Sequence, residues 1–224
     1  MVNTALKYPE KSHRKVVTIP GKSKELAEFV GIMIGDGGIN NPWQANISMN
    51  SVADAAYANY VEHLIVHLFG VSPAIRKRKD RNTLVISLAS TTIVDFLVFL
   101  GLPRGNKLKA GLKIPKWILR NPSYRKSCVR GLVDTDGCLY IHKHKIGGLE
   151  YKNIGFCFCS HSPILIEQIV ELFEESGIMP HINGTGRSIY LYRTDAVAKY
   201  LEVFGTSNDR IGGLYQKWKG ARVV

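Results

Sequence analysis

Two periods of hydrophobic residues alternate along this chain, and the order of their alternation is written twice. Over residues 54–70, DAAYANYVEHLIVHLFG, the apolar positions Tyr57, Val61, Leu64, Ile65 and Leu68 recur at steps of three and four, the spacing of one helix face. Residues 162–177, SPILIEQIVELFEESG, do the same with Ile164, Ile166, Ile169, Val170 and Phe173. Elsewhere the period falls to two: Leu84, Ile86 and Leu88 in TLVISLA, and Ile154, Phe156 and Phe158 in IGFCFCS, predict strands covered on one face. ANISM, PAIRKRK, CLYIHKH, MPHIN and RSIYLYR read as further strands, and KIGGLEYKN, residues 145–153, as a hairpin loop. TTIVDFLVFLG and DAVAKYLEVFG read as closing helices. Gly70, Gly101, Gly177 and Gly205 stand where these helices must stop, each suited to the left-handed turn that ends one.

Each copy opens on an apolar run that stops at a lone acid, FVGIMIGDGGI at 29–39 and VRGLVDTDGCLYI at 129–141. Each half then reads helix, two strands, helix, two strands, helix. The fold class predicted is α+β, a duplicated αββαββα with pseudo-twofold symmetry. The divisions expected are a basic arm at 1–22, a first half at 23–105, a linker at 106–122 and a second half at 123–224.

On a helix, Gly31 and Gly35 share a face, and Gly131 and Thr135 hold the same offsets in the second copy. Helices packed through such small residues approach closely and bring Asp36 and Asp136 side by side at one end of the pair. Two carboxylates there repel, and the helix C-termini add negative potential. A divalent cation resolves the conflict. Oxygen donors from Asp36, Asp136 and the backbone carbonyls of Gly35 and Thr135 suit Mg²⁺, or another divalent ion such as Mn²⁺. Such a metal can activate water for phosphodiester cleavage.

Charge narrows the partner. Lys and Arg number 30 against 18 Asp and Glu, a formal charge of +12 that points to a polyanion. The four cysteines, Cys128, Cys138, Cys157 and Cys159, lack C-x-x-C spacing and are expected to be reduced thiols of an intracellular protein. Neither a signal peptide nor a membrane span is read from the chain.

FVGIMIGDG and VRGLVDTDG resemble the LAGLIDADG motif of homing endonucleases, in the layout of the monomeric double-motif members. The resemblance runs from about Lys24 to Trp218. It implies two antiparallel four-stranded sheets forming a saddle over duplex DNA, with the motif helices packed at the centre. It implies metal binding by Asp36 and Asp136, staggered cuts with short 3′ overhangs, and an intron-encoded enzyme rather than an intein. Family members carry a basic residue in each half near the scissile phosphate, a role that falls on Lys107, with Lys109 and Lys113 as neighbours, and on Arg210. The first copy departs from the motif in having Ile34 where the second has Asp134, which is read as a capping or interface carboxylate. Some relatives have become RNA-splicing maturases or non-cleaving DNA-binding proteins, so that role is the alternative. A scaffold for ribosomal RNA would account for the charge but not for the mirrored acids.

Strand alternation names the residues expected to face DNA. In the first half these are Gln44, Asn46, Ser48 and Asn50, then Arg76 and Arg78, then Arg81, Thr83 and Ser87. The second half supplies Tyr140, His142 and His144, then Asn153 and Cys157, then His181 and Asn183, and finally Ser188, Tyr190 and Tyr192. Arg suits guanine and Asn or Gln suits adenine in a major groove. A Cys157–Cys159 metal pair is rejected, because the strand puts both outward without His or Cys at ligand spacing.

Overall fold

Ser23 launches the first motif helix: its Oγ accepts the Leu26 amide at 3.1 Å. The computed structural model describes residues 16–79 and 81–221, leaving most of the expected N-terminal arm outside the described residues. In chain order the elements are α1 (Lys24–Gly35), β1 (Gly37–Asn41), β2 (Gln44–Asn50), α2 (Ala55–Phe69), β3 (Ala74–Lys77), β4 (Thr83–Ala89) and α3 (Thr91–Phe99). A short α4 (Lys116–Leu119) precedes α5 (Pro122–Asp136), β5 (Gly137–Ile146), β6 (Leu149–Cys159), α6 (Pro163–Glu175), β7 (His181–Ile182), β8 (Ser188–Leu191), α7 (Thr194–Val203) and α8 (Asp209–Gly220).

The strands form two antiparallel four-stranded sheets, ordered β1-β2-β4-β3 and β5-β6-β8-β7. The second order repeats the first position for position, so the duplication read in the sequence is a duplication of topology. Every residue of α1 from Leu26 to Gly35 is buried, as befits a helix enclosed on all sides. Its main partner is α5, which begins at Asn121, where the side chain accepts the Ser123 and Tyr124 amides, with Pro122 in the first turn. A Cβ at Gly31 would stand 2.1 Å from the Cys128 carbonyl oxygen, and one at Gly131 would stand 2.3 Å from that of Glu28. Only glycine permits this approach.

Around this central pair one continuous core extends into both halves. In the first half it takes in Ile47, Ile86 and Leu88 from the sheet and Val61, Ile65 and Leu68 from α2. In the second, Phe156, Phe173, Tyr200 and Phe204 cluster with ring centroids 4.8 to 5.8 Å apart.

Two expectations change and one element is added. Ile164 is 44% exposed, and Leu165 is buried in its place, because the inward face of α6 is 165, 166, 169, 172 and 173. The segment 145–153 is no open loop: β5 and β6 pair down to Ile146 opposite Leu149, and Gly147 and Gly148, with φ of 58° and 84°, make a two-residue turn. The added element is α8, which no expectation covered. It starts at Asn208, whose side chain accepts the Arg210 amide at 2.9 Å. Its buried residues are Ile211 and Trp218, and the Trp218 indole donates to the Lys152 carbonyl at 2.8 Å. Ile211, Leu214, Tyr215 and Trp218 stand at helical spacing, a signal hidden by the polar residues between them. The four expected glycine stops hold, with φ of 66°, 105°, 69° and 72° at Gly70, Gly101, Gly177 and Gly205.

Candidate functional site

Asp36 caps the C-terminus of α1 and Asp136 is the last residue of α5. A Cβ built on Gly35 would lie 2.0 Å from Thr135 Oγ1 and 3.4 Å from Asp136 Oδ2, so the second acid rests against the end of the first helix. Thr135 keeps its hydroxyl inside its own helix, donating to the Leu132 carbonyl at 2.7 Å. Burial, and after it the negative charge of Asp136, push the Asp36 carboxyl up to about 7, against the pull of Lys107 and Arg210. Asp136 opens to solvent on one side, yet the helix ends behind it shield it from water; its carboxyl is also raised, with Lys107 opposing.

Lys107 reaches the site from the loop after α3. Its ammonium donates to the carbonyls of Ile34 at 2.8 Å and Gly37 at 3.1 Å, and to that of Gly35. It thereby satisfies the end of a helix that has no basic residue in its own last turn. Burial lowers its pKa while both acids raise it. Lys109 and Lys113 stay exposed. Arg210, at the equivalent place in the second half, donates from Nε to Asp54 at 3.0 Å and from Nη2 to the Gly137 carbonyl at 3.4 Å.

The donor set fits a hard divalent cation. Burial raises both carboxyls, and the charge of Asp136 adds to the rise at Asp36, against the opposing pull of Lys107; a divalent cation would favour the ionised form of each. Among the described residues no group of three or more His, Cys, Asp and Glu is arranged around a metal. A cation here would therefore complete its shell with Gly35 or Thr135 carbonyls, water and phosphate, as Mg²⁺ commonly does.

Asp134 points elsewhere, as its place in the motif suggested. It is 1% exposed and accepts the Ser207 amide at 2.7 Å and the Thr206 hydroxyl. Its counterpart Ile34 is fully buried in the apolar core. Glu28, also buried, gathers Tyr60 Oη at 2.9 Å, Ser207 Oγ at 2.8 Å and the Arg130 guanidinium, tying α1, α2, α5 and the 205–208 loop together. Asp134→Ala, which orphans the Ser207 amide, is expected to cost about 2 kcal/mol in urea unfolding.

The outward faces of both sheets start beside the acids. Asn46 lies opposite Ser87, Asn50 opposite Thr83, and both Ser48 and Arg76 pair with Val85, so these residues share one face with Gln44. Arg78 follows directly after β3, and Arg81 lies in the exposed turn before β4. A cleft of about 340 Å³ joins Asp36 and Lys107 to Asn46 and Ser48. In the second sheet His142 faces Asn153, His144 faces Tyr151, and Cys138, Cys157, Tyr190 and His181 form one row across the strands. His142, His144 and Tyr151 stack at 5.6 Å intervals, and Tyr190 stacks on Tyr192 at 5.4 Å. Tyr140, His142, His144, Asn153 and Tyr192 line a cleft of about 450 Å³. Gly155 makes room for the Tyr140 ring, which a Cβ would meet at 2.5 Å.

Three of the expected readers are engaged in structure. Asn50 Oδ1 accepts the Val52 and Ala53 amides at 2.9 and 3.0 Å, and Asn183 Oδ1 accepts those of Arg187 and Ser188 at 3.2 Å. Ser188 is buried against Cys159 Sγ, 3.2 Å away. Cys157 and Cys159 do face outward, with sulfurs 3.5 Å apart.

A scan of protein-family models finds no match for the chain. Solved structures do match it. The LAGLIDADG homing endonuclease I-LtrWI, bound to target DNA, aligns at TM-score 0.58 and 15% identity, over 88% of this chain and 89% of its own. The meganuclease I-SmaMI, bound to uncleaveable DNA, aligns at TM-score 0.57 and 12% identity, over 91% of this chain and 90% of its own. A mesophilic variant of the homing endonuclease I-DmoI aligns at TM-score 0.53 and 14% identity, over 81% of this chain and 95% of its own. The fold is that of the LAGLIDADG homing endonucleases.

Within this LAGLIDADG fold, α1 and α5 are the two motif helices, and their departure from each other at Ile34 and Asp134 has a visible cause. Asp134 anchors the loop that leads into α8, while Ile34 packs into core. Sequence reasoning missed Tyr151, Val85 and Cys138 on the outward faces, although Val85 lies between Thr83 and Ser87 in the same alternation and one further step reaches the other two. It also missed Asp54, for which no local signal exists, since its partners lie in the other half.

Proposed function

We propose that the protein is a site-specific double-strand DNA endonuclease, encoded within an intron, that hydrolyses phosphodiester bonds with a divalent metal. The observation that carries this reading is the pair of acids at adjoining helix ends, with Asp36 opening onto the polar face of the first sheet and β5 of the second sheet starting directly after Asp136. One acid per half matches one cut per DNA strand. Solved structures of this fold hold target DNA, and one I-DmoI variant complex was obtained in the presence of manganese.

In this reading Asp36 and Asp136, with the Gly35 and Thr135 carbonyls, hold Mg²⁺ or Mn²⁺. When bound, the cation supplies Lewis acidity to water and phosphate. Lys107 and Arg210 bring positive charge to the phosphate as charge builds on its oxygens. Gln44, Asn46, Ser48, Arg76, Arg78, Arg81, Thr83 and Ser87 face one half-site. Tyr140, His142, His144, Asn153, Cys157, His181, Tyr190 and Tyr192 face the other. The first set is rich in Arg and amide groups, the second in aromatic rings and imidazoles, so the half-sites read by the two halves differ in sequence.

The test is selection of cut molecules from a randomised duplex library, with Mg²⁺ and with chelator. Recovery of one long asymmetric site in the Mg²⁺ arm supports the reading. Retention of a specific duplex that is never cut in either metal would replace it with a DNA-binding role. Lys107→Met is expected to slow cutting of the selected site on the order of 100-fold, with binding in a gel-shift assay changed by less than about threefold.

A further inference from the structure

The two halves place equivalent residues at the N-terminus of their second helices. Ser162 precedes α6 and Asp54 precedes α2. Ser162 caps: its Oγ accepts the Leu165 amide at 3.3 Å and donates to the Leu112 carbonyl at 2.6 Å. Asp54 does not cap, and its side chain makes no bond to the free amides of α2. Asp is among the favoured capping residues, so a carboxylate that leaves these amides unbonded serves another partner. Its Oδ1 accepts Arg210 Nε at 3.0 Å and Asn208 Nδ2 at 3.2 Å, both from the opposite half.

The arrangement is crossed. The helix start of each half holds the segment that leaves the other half's last core helix, and those segments carry Lys107 and Arg210. The two cations also keep equivalent contacts, Lys107 with the Gly37 carbonyl at 3.1 Å and Arg210 with the Gly137 carbonyl at 3.4 Å. What differs is the holder: a neutral hydroxyl for one segment, a carboxylate in direct contact with the cation for the other.

We propose that Asp54 is a positioning residue for Arg210, by which the first half sets the basic group serving one DNA strand in the second. The proposal rests on the nuclease reading above. A guanidinium carries Nε and Nη2 on one edge. That edge is held by Asp54 and Gly137, which leaves the Nη1 side directed away from it. Asn208, 2% exposed, locks the approach: it donates to Asp54 and, at 2.9 Å, to the Asp134 carbonyl. The pair keeps only 17% of the Asp54 side chain and 32% of Arg210 exposed, so it is not a freely solvated surface bridge. The Arg210 charge also opposes the rise of the Asp36 carboxyl.

The experiment follows each strand of a selected duplex with a separate label. Asp54→Ala is expected to slow one strand at least 10-fold and leave the other within twofold, so that nicked product accumulates. Arg210→Ala slows the same strand, and the double variant is no slower than Arg210→Ala alone. Asp54→Asn, which keeps an oxygen acceptor, recovers part of the loss. Equal slowing of both strands, or additive losses in the double variant, overturns the proposal.

A second readout needs neither metal nor DNA. The Arg210 Nε–H resonance is protected from exchange in the wild type and loses that protection in Asp54→Ala. If the wild type cuts no library duplex under any divalent metal, the nuclease reading fails. Unchanged Nε–H protection in Asp54→Ala overturns the grip itself.

Discussion

Asp36→Asn and Asp136→Asn are each expected to slow double-strand cleavage on the order of 1,000-fold or more, while DNA binding in the absence of metal is unchanged or tighter. Asparagine keeps the size of the side chain but removes the charge that holds a divalent cation at the helix ends. The same change carries a second signature in the metal-free protein. The Asp36 carboxyl sits near 7 rather than 3.8, because burial and the charge of Asp136 disfavour its ionised form. Below pH about 4 it is protonated both folded and unfolded, and costs nothing. Between about 4 and 7 the unfolded chain ionises first, so the folded state loses stability as pH rises, and above about 7 the loss is complete. Asp36→Asn removes that loss and is expected to stabilise the metal-free protein at pH 8 by about 2 kcal/mol, with little effect at pH 4. Thermal melts across pH with chelator measure this, and the gain should shrink when Mg²⁺ is added to the wild type. A variant that cuts at the wild-type rate, or destabilises at pH 8, would remove Asp36 from the site.

Gly131→Ala and Gly31→Ala are expected to cost about 3 kcal/mol or more, the largest stability losses of any single methyl in this protein. The added carbon would sit 2.3 Å from the Glu28 carbonyl oxygen in one case and 2.1 Å from that of Cys128 in the other. Both obstacles are helix backbone, which cannot rotate aside, so α1 and α5 must separate. Separation moves Asp36 from Asp136 and weakens the metal site along with the fold. Gly35→Ala is the informative contrast. Its nearest obstacle is the Thr135 hydroxyl, at 2.0 Å, and Thr135→Gly in the same chain is expected to recover most of the lost stability. Urea titrations of the four variants give the order. A Gly131→Ala protein as stable as the wild type would mean the helices are not packed through these residues in solution.

Local pattern was enough for the repeat, the class of nearly every element and the identity of the acids. Helical and strand periods are properties of a few consecutive residues, and a lone Asp after an apolar run is visible wherever it lies. The small residues at 31, 35, 131 and 135 even carried the close approach of the two helices, because a missing side chain is legible as permission to touch. The partial failures were local ambiguities, such as Ile164 for Leu165, the tight Gly147–Gly148 turn taken for a loop, and α8 obscured by its polar face. Asn50 and Asn183 looked like free amides because a local backbone contact, two and three residues away for Asn50 and four and five for Asn183, competes with a groove contact in any polar strand end.

The tertiary structure alone decided which distant groups meet. Lys107 lies 72 residues from the Gly35 carbonyl it contacts, and Asp54 lies 156 residues from Arg210. No period or spacing encodes such pairs, because only tertiary packing brings the loop after α3 back to the end of α1, and carries Arg210 across to Asp54 in the other half. The sequence by itself determined the two lobes, the paired helices and the acids at their ends. Only the packed molecule determined how those acids are charged, which cation sits on which carbonyl, and which half holds the other's basic group, since burial and through-space charge depend on neighbours that chain order does not reveal.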